Sequence, residues 1–289
     1  MLVWTLFLSC IFLCGGCRQK KAEIVIVPDV QKNHLQRNHI YGKVKEITSY
    51  TLVCNQSAIV SDTLASDSLR FDTAYIFIQN YSPDGYLLAT YKLSAQHDTL
   101  LARTFSYYPD ARPKGWSEHN YQDGSNVSCL YEYDMNDFLS AEKISTDDSL
   151  LMNTTYKTDG AGNVVEMVRH YEGYSLKNTS QYNELGLLTR INEYDPSGKV
   201  YKYVTIEYDN YGDEVNRRAF KGENDLIEYT YTQYNQDGSL LKVLFEDRIH
   251  HSKERYDYSA YDKQKNWTIE TRTKDKQLIY KRIRNYIYY

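Results

Sequence analysis

Beyond residue 40 the apolar and polar positions alternate with a period of two. In Lys202 to Tyr208, Val204 and Ile206 share one face, while Tyr203, Thr205 and Glu207 take the other. In Ile227 to Gln233, Ile227, Tyr229 and Tyr231 oppose Glu228, Thr230 and Thr232. Such runs of Val, Ile, Thr and Tyr predict half-buried β-strands. No stretch after residue 40 carries a helical stripe. The segments between the runs are too short to join parallel neighbours, so the pattern predicts an antiparallel meander of hairpins.

The meander is periodic. Tyr81, Tyr107, Tyr133, Tyr156, Tyr182, Tyr208, Tyr234 and Tyr261 are separated by 26, 26, 23, 26, 26, 26 and 27 residues. The anchor tyrosine opens a motif Tyr-x-x-x-Gly-x-Leu, as in Tyr81 to Leu87, Tyr182 to Leu188 and Tyr234 to Leu240. Asp, Asn, Pro and Ser before a glycine make a reverse turn, because glycine takes positive φ without steric cost. The copy at Tyr156 reaches Gly160 and then carries Ala161, Gly162 and Asn163 before Val164. Weaker copies place Ala111, Asp137 or Lys265 where the glycine belongs, and the turns at Ala111 and Lys265 are expected to differ in shape. A second turn, clearest at Tyr194-Asp-Pro-Ser-Gly198, falls near the middle of most units. Each unit is then turn, strand, turn, strand, with strands of roughly nine residues, about 30 Å long. The fold class is all-β, a meander of hairpin repeats with about fourteen to eighteen strands, and sheets beyond about ten strands curl or close. A strongly curved sheet or an open barrel is the expected form. A propeller is the alternative, although its four-stranded blades need about 40 residues.

Tyr131-Glu-Tyr133-Asp134, Glu207-Tyr208-Asp209-x-x-Gly212 and Tyr258-x-x-Tyr261-Asp262 resemble the Tyr-Asp (YD, or Rhs) repeats of bacterial envelope and secreted proteins. The stretch Tyr261-Asp-Lys-Gln-Lys-Asn-Trp267-Thr is similar to a tail of YD-repeat-like lipoproteins of Bacteroidetes. The resemblance spans roughly residues 75 to 289 and implies a repeat-built β architecture. In large Rhs proteins such repeats form a spiralling shell around a toxin. This chain is too short for that shell, and its period is longer.

The N-terminal residues read as a targeting segment. Leu2 to Leu13 is an apolar run of signal-peptide length, too short to span a bilayer as an ordinary helix. It ends at Cys14-Gly15-Gly16-Cys17, which resembles a lipoprotein signal box with Cys17 as the acylated residue. Two departures stand against it: Cys14 occupies a place usual for an aliphatic or small residue, and no Lys or Arg precedes the run. An ordinary cleaved leader or a membrane anchor is the alternative. The expected organisation is a signal peptide over 1–16, a tether over 17–38, and a β domain over 39–289 with a polar insertion at 55–73. Arg18-Gln19-Lys20-Lys21 favours a periplasm-facing anchor in the outer membrane, with the membrane itself as partner through Cys17.

Charge narrows the function classes. With 34 basic against 38 acidic residues and a net charge of −4, no basic stripe exists to meet nucleic acid. Apart from the acylated Cys17, Cys54 and Cys129 are the cysteines outside the leader, and an oxidising envelope would allow a disulfide between them or two separate buried thiols. The histidines are scattered, and the adjacent His250 and His251 read as part of a solvated turn, since on a strand they would point to opposite faces, so no metal or other cofactor is expected. Asp134, Asp209 and Asp262 follow the anchor tyrosines in successive units, which marks turn residues and not a converging catalytic pair. Nucleophile motifs such as Gly-x-Ser-x-Gly are absent, and no enzymatic activity is expected.

Tyrosine accounts for 30 residues. Tyr174, Tyr201, Tyr203, Tyr229, Tyr231 and Tyr258 are candidate ligand-facing aromatics, since exposed rings stack on sugars and anchor partners. Cross-strand packing is the alternative role for each. The expectation is a non-catalytic envelope lipoprotein acting as scaffold or binding module toward an unidentified envelope protein or glycan. The alternative is a carbohydrate-binding, less readily a carbohydrate-processing, protein.

Overall fold

The computed structural model describes residues 34–54, 71–147 and 149–289. One short helix, α1 (His34–Arg37), precedes eighteen strands. The first nine are β1 (Val44–Cys54), β2 (Phe71–Tyr81), β3 (Leu87–Leu93), β4 (Thr99–Tyr107), β5 (Pro113–Asn120), β6 (Asn126–Tyr133), β7 (Leu139–Thr146), β8 (Leu150–Thr158) and β9 (Val164–Tyr171). The rest are β10 (Tyr174–Tyr182), β11 (Leu188–Tyr194), β12 (Val200–Tyr208), β13 (Glu214–Lys221), β14 (Asp225–Tyr234), β15 (Leu240–Asp247), β16 (Ser252–Tyr261), β17 (Trp267–Lys274) and β18 (Gln277–Tyr288).

Every strand pairs antiparallel with its sequence neighbours, and β1 pairs with both β2 and β18. The sheet is therefore a closed barrel, not the open one that repetition alone suggests. Closure removes the unpaired edges that an eighteen-stranded sheet would otherwise expose. A barrel of this strand number leaves a channel and not a filled core.

Directly paired residues share a face, so the register traces both walls. The inner wall carries Val204, Ala219, Val243, Tyr258, Glu270, Ser49, Trp116, Cys129 and Thr154, all buried. Three apolar seams line it, centred on Val204 and Ile206, on Trp116 and Ile144, and on Val243 and Trp267. Ile227 joins the first seam through a bulge: Ala219 pairs with Glu228 and Phe220 with Leu226, leaving Ile227 between them. Tyr229 and Tyr231 accordingly sit on the outer wall, apart from Ile227.

The repeat has a simple mechanical content. From Tyr107 onward the anchor phenols donate to the carbonyl that opens the preceding strand: Tyr107 to Leu87 (2.6 Å), Tyr133 to Pro113 (2.6 Å), Tyr182 to Val164 (2.9 Å), Tyr208 to Leu188 (2.7 Å), whereas the buried hydroxyl of Tyr81 has no partner among the described residues. Tyr234, Tyr261 and Tyr286 repeat the bond to Glu214, Leu240 and Trp267, and Tyr289 reaches Tyr81 across the seam of closure. The following Asp or Asn accepts two backbone N–H groups, as Asp134 does from Asn136 and Phe138 and Asp209 from Tyr211 and Asp213. Tyr156 is not an anchor. Its hydroxyl donates to Glu142, and Thr158-Asp159 takes the anchor place, with Gly162 as the turn glycine. That displacement accounts for the irregular interval of 23.

The turns at Ala111 and Lys265 share the shape of the glycine copies. Their φ values of 69° and 71° match the 64° of Asp137 and the 72–89° of the turn glycines, and the same turn bond closes them. Left-handed backbone costs a residue with a Cβ about 1–2 kcal/mol, partly offset by the entropy a glycine loses. Ala111→Gly should therefore stabilise the barrel by about 0.5–1 kcal/mol, read as a raised midpoint in thermal melting. An unchanged or lowered midpoint would show that the turn carries no such strain.

Cys129 is a free, buried thiol whose pKa is pushed up to about 12 by burial and then by Glu142. It lies on β6, five strands around the ring from the β1 strand that carries Cys54. Residues 34–38, expected as tether, belong to the folded body, because Leu35 packs with Ile40, Val44, Ile47 and Tyr81. The expected leader, Cys17 and most of the 55–73 insertion lie outside the described residues, and 71–73 begin β2.

Candidate functional site

The turns that follow the anchor tyrosines all lie on one rim, because every strand ending in an anchor runs toward it. β1 starts and β18 ends at the same rim. The segment 34–42 lies over this opening. Leu35 N–H donates to the Gly85 carbonyl, and the His34 ring meets Phe105 and Tyr107. Farther along, the His39 ring sits 5.6 Å from Tyr234, and the Tyr41 hydroxyl donates to Gly238. Asn266 grips the end of the segment. Its Oδ1 accepts from Tyr41 N–H (2.7 Å), and its Nδ2 donates to the Tyr41 carbonyl and the Tyr288 hydroxyl (both 2.8 Å).

Beneath the segment, the inner wall opens into a cavity of about 640 Å³. Its walls come from β1, β2 and β3 on one side and β14 to β18 on the other, with His39 and Ile40 above. The alternation of β18 puts Tyr280, Arg282 and Arg284 on the inner face. Arg282 Nη1 lies 3.1 Å from Glu270, which is only 4% exposed and also accepts from the Tyr280 hydroxyl (2.8 Å). Burial raises the Tyr280 phenol well above its ordinary range. The Arg284 guanidinium lies 3.8 Å from the Trp267 ring centre, and Lys92 Nζ lies 5.0 Å from that of Tyr75. Trp267 packs in turn on Tyr258, ring centres 5.1 Å apart.

Elsewhere on the inner wall each of several arginines has its own carboxylate: Arg103 with Glu118, Arg217 with Glu214, and Arg272 with Glu254. The cavity differs, with three cations around one carboxylate.

The six candidate tyrosines do not form one ladder. Tyr258 is 9% exposed and belongs to the inner seam, where it lines the cavity; burial lifts its phenol well above the ordinary value. Tyr203, on the outer wall, is flanked by the Arg190 guanidinium at 4.1 Å and the stacked Phe220 ring at 4.8 Å. Tyr229 donates to Asn216, and both it and Tyr231 are half-buried. Tyr174, 48% exposed, stacks on Tyr171. Tyr201, 40% exposed, donates to Glu193, and its pKa is pushed up to about 12 by burial and that bond. Most of these contacts are cross-strand packing that holds the wall together.

Sequence reasoning passed over Lys92, Glu270, Arg282 and Arg284. The available signal was the inner-face run Tyr280, Arg282, Arg284, Tyr286, in which aromatic and basic residues share one parity.

No family model matches this chain, and no curated protein matches it. Among solved structures it is similar to TcdB2-TccC3 without its hypervariable C-terminal region, at 14% identity and a TM-score of 0.34. The match covers 80% of this chain, which spans only 16% of that one. It is also similar to a porin-like protein from Bacteroides uniformis, at 13% identity and a TM-score of 0.44, over 86% of this chain and 97% of that one. A porin-like protein from Bacteroides vulgatus matches at 8% identity and a TM-score of 0.32, over 84% and 98% of the two chains.

Proposed function

We propose that this chain is a non-catalytic envelope lipoprotein whose barrel stands in water, held to the outer membrane through a lipid on Cys17, and serves as a binding module. The supporting observation is the outer wall. It carries Lys143 with Glu132, Lys157 and Lys177 with Glu166, Arg218 with Glu207, and Arg255 with Asp257, and of the cations Lys143, Lys177, Arg218 and Arg255 stand at mid-strand. A membrane-spanning barrel needs an outward apolar band, and each charged lysine or arginine at the bilayer midplane costs about 2–4 kcal/mol. Four such clusters distributed around the ring suit water. The chain enters the barrel at the rim covered by segment 34–42, so an anchor upstream of it holds that rim toward the membrane.

Fractionation tests the reading. The wild-type chain, produced in a bacterium that processes lipoproteins, should take up labelled palmitate and stay with membranes, and Cys17→Ala should lose the label. With residues 1–17 exchanged for a cleaved secretion leader, the barrel should become soluble. Retention of that variant in carbonate-washed membranes would put the wall in lipid and end the proposal.

A further inference from the structure

We infer that the cavity beneath segment 34–42 is a binding site for a small organic oxyanion: a ligand with carboxylate or phosphate oxygens on a compact apolar or planar body. The charge balance gives the sign. Lys92, Arg282 and Arg284 face Glu270 alone, and Glu270 is already taken up by Arg282 and Tyr280. Lys92 and Arg284 have no carboxylate partner among the described residues; each instead lies against an aromatic face. Three cations against one carboxylate leave an excess of two positive charges in a half-enclosed space, where low dielectric magnifies their pull on an anion.

Unsatisfied polar atoms give the location. Ser49 is 2% exposed and lines the cavity, and its hydroxyl has no partner; nor has the buried Nε of Arg284, the residue paired with it across the strands. Buried polar atoms are nearly always bonded, and these two stand side by side in the cavity wall. An arginine seated over an indole can still offer its free N–H groups as a fork for an oxyanion. The aromatic surface of Tyr75, Phe77 and Tyr258 bounds the same space and receives the ligand's body.

The inference rests on the binding role proposed above but not on the lipid at Cys17, so fractionation and titration fail independently. The test is calorimetric titration of the full chain in mild detergent with phenyl phosphate, benzene-1,4-dicarboxylate and neutral benzyl alcohol. One or both anions should bind saturably at a single site, and benzyl alcohol should not; the stronger anion tells phosphate from carboxylate ligands. Lys92→Gln and Arg284→Gln should each weaken binding about tenfold or more, as expected for losing a partly desolvated charge partner. Raising salt from about 50 to about 500 mM should weaken it further, and the outer-wall variant Lys143→Gln should bind as the wild type does. Circular dichroism of each variant certifies the fold. Absence of saturable binding by both anions, equal binding of the neutral compound, or unaltered binding in folded Lys92→Gln and Arg284→Gln would overturn the inference.

Discussion

Asn266→Ala will free the segment over the barrel opening while leaving the strands paired. Asn266 is 2% exposed, and three hydrogen bonds tie it to Tyr41 N–H, the Tyr41 carbonyl and the Tyr288 hydroxyl. Alanine strands those groups, and each buried polar group left without a partner costs about 1–3 kcal/mol. Leu35 and Ile40 still hold the segment by burial, so the loss divides between local opening and global stability. We expect local protection to fall by about 2–3 kcal/mol, or roughly 30- to 150-fold in opening. Trypsin cleavage at Arg37 and Lys43, followed by mass spectrometry, reads this directly. Faster cleavage at these two sites ahead of the strand sites is the expected result. Equal resistance in wild type and variant would mean that apolar burial alone seats the segment. Asn266 also gives the stretch Asp262 to Trp267 its physical sense: Asp262 shapes the turn, Asn266 clamps the segment, and Trp267 fills the inner seam.

Glu270→Gln will destabilise the barrel by about 3 kcal/mol, because it leaves Arg282 without its anionic partner on a largely buried wall. Glutamine keeps an acceptor for Tyr280, so the charge is the quantity removed. Chemical denaturation should show a lowered midpoint with an unchanged slope. The double variant Glu270→Gln/Arg282→Gln should lose less than the sum of the two single variants, since the second change removes the stranded charge. Strict additivity would show that Glu270 and Arg282 do not stabilise one another. The surface pair Arg255–Asp257 offers a contrast: Arg255 is exposed and Asp257 half-exposed, and its loss should cost under about 1 kcal/mol.

The strands, their order and the turns were legible because local patterns determine them. Tyr-Asp before a glycine fixes a turn through bonds within five residues, and alternation of Val204 and Ile206 with Tyr203 and Thr205 fixes a strand. Closure was not legible, because no residue of β1 advertises that it will meet β18. The bulge at Ile227 was hidden for a related reason: an extra residue shifts the parity of everything before it without changing composition. The cavity was the least legible. Its charges stand on β3, β17 and β18, and alternation alone does not say which face of those strands looks inward. Tyr156 misled because it keeps nearly the right interval while Thr158 holds the anchor place.

The single seam between β1 and β18 sets the order of assembly. Apart from β1 with β2, the other pairings join strands through short turns, which close at little entropic cost as soon as a hairpin has left the ribosome. Val44, by contrast, waits for Tyr288 at the end of β18. Until then the nascent sheet keeps two unpaired margins, each a template for a neighbouring copy. A chain stopped before Gln277 never loses them, so nonsense truncations late in the sequence should accumulate as aggregates and not as shorter barrels.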